Sequence, residues 1–222
     1  MITGDLQKRI ISSIILIPIS LFFIFQGKLF FIFFLSIFFL ATSYEWIKMN
    51  KKYFLKIIGL CYLFFAFIIA YFLREKFSLG LFILILIICI FTDLGGYIFG
   101  KTFKGPKLIK ISPKKTYAGA FGGFVLSFVA AIIYTKYTNL SASAYLNLSI
   151  LTSLTFNKIY FSFILIISFT SQVGDLIVSY FKRLAKVKDT GNLLPGHGGL
   201  LDRLDGIIFA LPISYLLLSY LR

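Results

Sequence analysis

The sequence predicts an all-α fold, a polytopic transmembrane helix bundle of about seven to nine spans whose active site faces the cytoplasm. Three observations predict it. Of the 222 residues, 59% are hydrophobic and only 14% are charged, and the mean hydropathy is +0.93, too apolar a balance for a soluble domain of this length. The apolar residues come in long blocks, the pattern of bilayer-spanning helices. The basic residues sit in short segments between those blocks, where they act as topology signals and as ligands for anionic headgroups or nucleotide phosphates. That placement excludes the nucleic-acid partner that a net charge of +15 would otherwise suggest.

Spans are expected at 10–25, 29–47, 54–73, 77–99, 117–134, 160–181 and 204–221. Lys8 and Arg9 precede the first run in the manner of a signal peptide. The run is long and no small-residue cleavage site follows, so it reads as an uncleaved first span. A shorter apolar stretch, 144–156, is too short to cross comfortably at ~1.5 Å per residue, and reads as re-entrant or as an extension of a neighbouring helix. The first three spans hold no ionisable residue in their interiors apart from Glu45, close to one end. Residues 1–76 are therefore expected to be an N-terminal transmembrane scaffold and 77–222 a transmembrane catalytic region. Trp46, beside Lys48, reads as an interfacial anchor. Cys61 and Cys89 fall inside apolar blocks and read as helix-packing residues.

Orientation follows from the loops. With the N-terminus in the cytoplasm and 144–156 not counted as a crossing, the inside segments hold seventeen of the 23 basic residues, including all six lysines from Lys101 to Lys115. Lys28, Arg74, Lys76, Lys136, Lys158 and Arg222 remain outside. This bias places both long polar loops, 101–116 and 182–205, on the cytoplasmic face. Gly119-Ala120-Phe121-Gly122-Gly123 carries small residues four apart, a signal for close helix contact within the chain or in a homodimer.

The chemistry concentrates in the second half. Only eight residues are acidic, and Asp93, Asp175, Asp189, Asp202 and Asp205 are five of them. Asp93 and Asp175 lie inside spans, roughly 10–12 Å below the basic loops. An aspartate there costs roughly 2.5–3.5 kcal/mol unless it is paired, hydrated or bound to a cation. Lys182, Arg183, Lys188 and Arg203 can neutralise a polyphosphate. The backbones of Gly196, Gly198 and Gly199, around the single His197, can approach phosphate oxygens closely. Asp202 and Asp205 stand three apart at the start of the last helix and share a face with each other. Two carboxylates at a helix N-terminus beside phosphates suggest a hard cation such as Mg²⁺. Asp175 and Asp202, on two helices joined by the basic loop, can be brought to one point, where they would repel unless a cation sat between them or one were protonated.

The run Ser179, Lys182-Arg183, Lys188-Asp189, Pro195-Gly196-His197-Gly198-Gly199 and Asp202-Arg203-Leu204-Asp205 resembles the signature of the phosphatidate cytidylyltransferase (CDP-diacylglycerol synthase) family. The upstream segment Asp93-Leu94-Gly95-Gly96-Tyr97, Gly100-Lys101 and Ser112-Pro113-Lys114-Lys115-Thr116 is similar to that family too. Leu94 stands where the family usually has Ser or Thr, and Tyr117-Ala118 where it often has Trp-Glu or Trp-Gln. The resemblance covers about residues 91–206. It implies that CTP and phosphatidate give CDP-diacylglycerol and pyrophosphate at the bacterial inner membrane, with Mg²⁺ and room for a second, monovalent cation such as K⁺. It implies Asp175, Asp202, Lys188, His197 and Arg203 as catalytic residues, and Asp175, Asp202 and Asp205 as metal ligands. Lys182, Arg183, Asp189, Gly198, Gly199, Ser112, Lys114, Lys115, Thr116 and Asp93 are the expected substrate-binding set. Two rival readings are a CTP-dependent polyprenol or phytol-type lipid kinase, and an ion-coupled transporter using Asp93 and Asp175.

Overall fold

The computed structural model of the chain describes residues 2–109, 112–138, 158–193, 196 and 198–221 and, within them, the side chains of all but 2–11, 13, 113 and 114. Seven α-helices are found there: α1 (Ile2–Gln26), α2 (Lys28–Met49), α3 (Tyr53–Phe72), α4 (Leu79–Phe103), α5 (Tyr117–Tyr137), α6 (Lys158–Leu184) and α7 (Leu201–Tyr220). A π-helical turn, Leu73–Phe77, prolongs α3. Each of the seven expected spans coincides with one helix, and 144–156 lies outside the described residues. By length and composition α2, α3 with its π turn, α4, α5 and α6 can cross a bilayer. In α1, whose side chains are described only in part, the apolar segment among the described residues is Ile14–Gln26. α7 opens on Asp202, Arg203 and Asp205, which shortens its apolar part. Five helices thus meet the criterion among the described residues, against the seven to nine spans expected, and the chain is a multi-pass membrane protein.

Helix α4 is the centre of the bundle. Its Leu84, Ile85 and Ile88 are fully buried, and α5, α6 and α7 pack around it. Lipid tails are as apolar as leucine, so helices in a membrane associate through close backbone approach and interhelical hydrogen bonds. The α4–α5 seam uses the first device. A Cβ on Gly95 would run into the Gly122 carbonyl, and one on Gly119 would meet the Gly96 carbonyl oxygen at 2.7 Å. The small-residue pattern is thus spent on contact within the chain. The second device ties the other helices. Thr92 and Ser168 share a 2.7 Å hydrogen bond between α4 and α6, and the Tyr160 hydroxyl donates to the Ala131 carbonyl on α5 at 3.0 Å. Pro212 leaves the Ile208 carbonyl without its helical donor, and the Tyr62 hydroxyl of α3 reaches that oxygen at 3.5 Å.

At the end of the bundle away from α7's start, Arg74 donates to the Ile24 and Phe25 carbonyls at 3.2 Å and to Glu75 at 2.6 Å. The α1–α2 and α3–α4 junctions therefore lie together, as alternating helices require.

Three expectations need correction. Trp46 is not an exposed interfacial anchor: it is 7% exposed, its indole N–H donates to the Leu55 carbonyl at 2.9 Å, and its ring stands edge-on to Phe181. Cys89 is buried as expected, but Cys61 lies on the exposed face of α3. The loop 101–116 is not wholly irregular. β1 (Lys107–Ile109) and β2 (Ser112–Thr116) pair antiparallel, with Lys107 opposite Thr116 and Ile109 opposite Ser112. Strands of three and five residues show no clear alternation in the sequence, and charge in a short loop reads first as a topology signal.

Candidate active site at one end of the bundle

The end of α4, the hairpin, the start of α5, the end of α6 and the start of α7 meet at one end of the bundle. Thr116 ends β2 and caps α5, its hydroxyl accepting the Gly119 N–H at 3.1 Å. That cap fixes Lys115 one residue earlier, where its ammonium pairs with Asp175 of α6 at 2.5 Å. Ser179, one turn on, donates to the other Asp175 oxygen at 3.3 Å. A cleft of about 200 Å³ opens here, lined by Asp93, Gly96, Lys115, Thr116, Gln172 and Asp175 among others. The two segments expected to share one substrate, around 93–116 and around 175–205, do meet.

Asp205 of α7 is buried, and its carboxyl lies within hydrogen-bonding reach of that of Asp175. Asp93 is close enough for its charge to act on both. Lys115, Lys182 and Arg203 surround this acidic group and act on it in turn. Among the described residues no three His, Cys, Asp or Glu side chains stand close enough to hold a metal ion by themselves. The facing pair Asp175 and Asp205 still suits Mg²⁺, which binds through one or two carboxylates and fills its other positions with water and substrate phosphate.

Asp202, one turn earlier on α7, is held by other partners. Its Oδ1 meets the Lys182 ammonium at 2.8 Å, and its Oδ2 accepts the Thr190 N–H at 2.8 Å, the Thr190 hydroxyl at 3.1 Å and the Gly199 N–H at 3.0 Å. In the first turn of α7 its carboxylate satisfies donors of the incoming loop. The expected meeting of Asp175 with Asp202 is thus a meeting of Asp175 with Asp205. Both carboxylates face α6, one turn apart: Asp202 meets Lys182 and Asp205 meets Asp175.

The expected substrate-binding and catalytic residues of the basic loop divide. Lys182 is paired, whereas Arg183, Lys188, Asp189 and Arg203 are exposed. Gly198 has φ +88°, a conformation that favours glycine. Gly199 is buried, and an added Cβ would strike Thr190 and Glu45. Ser112 sits on β2 opposite Ile109. The His197 expectation, and the Lys114 side chain, lie outside the described residues.

Glu45 of α2 is the residue the sequence reading passed over. It is 1% exposed and accepts the Leu200 N–H at 2.9 Å, the Leu201 N–H at 2.8 Å and the Thr190 hydroxyl at 3.0 Å. A scaffold helix thereby caps the helix that carries Asp202 and Asp205. The cost of a carboxylate in a span was its only signal, and that signal was discounted because Glu45 lies near a helix end.

Carboxylates, lysines and a glycine-bearing loop meet at one end of a membrane bundle, the kind of residues that a phosphate-handling membrane site needs. Comparison with known proteins gives the family. The model of the cytidylyltransferase family matches residues 51–221. A phosphatidate cytidylyltransferase of Rickettsia conorii is 34% identical over 223 aligned residues, covering 98% of this chain and 93% of that protein. One from Rickettsia typhi is 34% identical over 98% of this chain and 93% of its own length. One from Staphylococcus epidermidis is 40% identical over 128 residues, which are 57% of this chain and 44% of that protein. The chain belongs to the cytidylyltransferase family.

Proposed function

We propose that this chain is a nucleotidyltransferase of phospholipid biosynthesis, which transfers the cytidylyl group of CTP to phosphatidate and releases CDP-diacylglycerol and pyrophosphate. The observation that carries the reading is the cleft in which Lys115 and Asp175 join the hairpin to α6 beside Asp93 and Asp205, inside the matched family region. A phosphomonoester oxygen of phosphatidate attacks the α-phosphorus of CTP. The bond from that phosphorus to the bridging oxygen breaks, and pyrophosphate leaves with the bonding pair. The attacking group is already an anion, so no strong base is needed. The obstacle is repulsion between two polyanions and charge gathering on the leaving group. Lys115, Lys182 and Arg203, beside the carboxylates, with the exposed Arg183 and Lys188, bind phosphate oxygens in this reading. Asp175 and Asp205 would hold Mg²⁺, which would neutralise the phosphates further. Asp202 orders the loop that carries Lys188.

The test is the purified protein with phosphatidate, Mg²⁺ and CTP labelled at the α- or the γ-phosphate. The α-label should enter a lipid and the γ-label should leave as pyrophosphate. Transfer of the γ-label to lipid would make the protein a kinase, and no labelled lipid at all would refute lipid chemistry.

The reading places this end of the bundle in the cytoplasm of a bacterium, at the inner membrane, in keeping with the basic bias of its loops. Cysteines replacing Lys104 and Lys186 should both react with a membrane-impermeant reagent in inside-out vesicles and not in right-side-out ones. Labelling from opposite faces would separate the two loops and remove the shared site.

A further inference from the structure

We infer that a groove between α1, α2, α3, α4 and α7 holds a fatty acyl chain of the lipid substrate, with the phosphate end of that lipid at Arg203. The inference rests on the proposed reaction for the identity of the lipid. The groove has a volume of about 270 Å³ and is apolar along its length, from Leu204 and Ile90 to Phe82 and Leu211. Arg203 is the one charged residue on its lining. The same guanidinium acts electrostatically on Asp93, which lines the polar cleft. A cation thus stands on the apolar groove, near enough to the polar cleft for its charge to act on Asp93, an arrangement that suits a lipid with an anionic head and an apolar tail.

Along α7 the groove runs from Leu200 to Leu211, roughly 16 Å at ~1.5 Å per residue. On α1, α2 and α4 its lining continues to Ile24, Phe31 and Phe82, close to the α1–α2 and α3–α4 junctions. It thus leads from Arg203 past the middle of the bundle, a length that takes a long acyl chain. A second apolar cavity, about 230 Å³ between α3, α6 and α7, has no charged residue on its lining and so offers nothing to orient a phospholipid.

Two experiments test this. Filling the far end with Leu211→Phe or Ala70→Leu should raise the KM for dioleoyl phosphatidate at least fivefold more than that for dioctanoyl phosphatidate, whose chains stop short of the filled end. An equal change for both lipids, or none, would overturn the groove. The wild-type protein supplies the second measurement, which needs no variant to fold. Phosphatidate with a diazirine midway along one chain should cross-link to the 204–211 segment of α7. Unlabelled phosphatidate should compete and phosphatidylcholine should not. Labelling elsewhere, or equal competition by phosphatidylcholine, would make the groove a general lipid contact. If the wild type made no CDP-diacylglycerol from either lipid, the proposed reaction would fail instead, a result distinct from loss of chain-length dependence.

Discussion

Asp175→Asn is expected to cut CDP-diacylglycerol formation by roughly 10²–10³-fold or more while the protein still inserts, purifies and melts near the wild type. Asn keeps the shape of the side chain and removes its charge. In the structure Asp175 meets Lys115, Ser179 and Asp205, so this one substitution removes the proposed metal-binding pair and the partner of the hairpin's cation together. The Lys115–Asp175 pair is about a quarter exposed on each side, so its loss should cost little stability. Wild-type activity should require Mg²⁺ or Mn²⁺ and vanish on chelation. Asp202→Asn gives the contrast. Asp202 is held by Lys182 and three loop donors, so that variant should lose thermal stability along with activity. Wild-type turnover of Asp175→Asn, or full activity in EDTA, would reduce the carboxylate to a structural role.

The helices were legible because their cause is local. Each apolar block is long enough for a helix of several turns and is bounded by Lys or Arg, and all seven expected spans fall on helices. The meeting of 93–116 with 175–205 was legible from charge bias, since alternation puts both on one face. What sequence could not supply was the height at which two helices meet. Asp202 and Asp205 are three residues apart on one face, and which of them stands level with Asp175 depends on how far α7 is set along α6. Packing sets that height: the Gly174 backbone lies against Phe209, and that of Gly206 against Ser171. The glycines misled for a related reason. Beside lysines they read as phosphate-approach positions, yet Gly199 is small because Glu45 and Thr190 press on it. Glu45 itself was missed because its partners lie 145 to 156 positions away. No periodicity or spacing reports a contact of that range.

That contact gives the second large effect. Glu45→Gln is expected to destabilise the detergent-solubilised protein by about 2–4 kcal/mol, and to lower turnover roughly 10²-fold. One carboxylate oxygen accepts the Leu200 N–H and the other accepts the Leu201 N–H and the Thr190 hydroxyl. A glutamine has one acceptor and one donor, so either rotamer sets an NH₂ against a backbone N–H that also donates. A buried donor is then left unsatisfied, and the negative charge that complements the start of α7 is gone. There is no room for water to substitute, because Gly191 and Gly199 are packed directly against the carboxylate. The activity loss follows from geometry. Thr190 bonds both Glu45 and Asp202, so a shift at Glu45 moves the loop and the first turn of α7, and a displacement of about 1 Å at a reacting centre costs roughly 10²-fold. Thr190→Val separates the two roles. It removes the bridging hydroxyl but leaves both backbone bonds to Glu45, and should cost only about 1 kcal/mol with a smaller loss of turnover. Thermal melts and steady-state kinetics on the three proteins decide the matter. If Glu45→Gln melted and turned over like the wild type, α2 would be a passive neighbour of the site, and the position of α7 would have to be set by its packing against α6, α3 and α4.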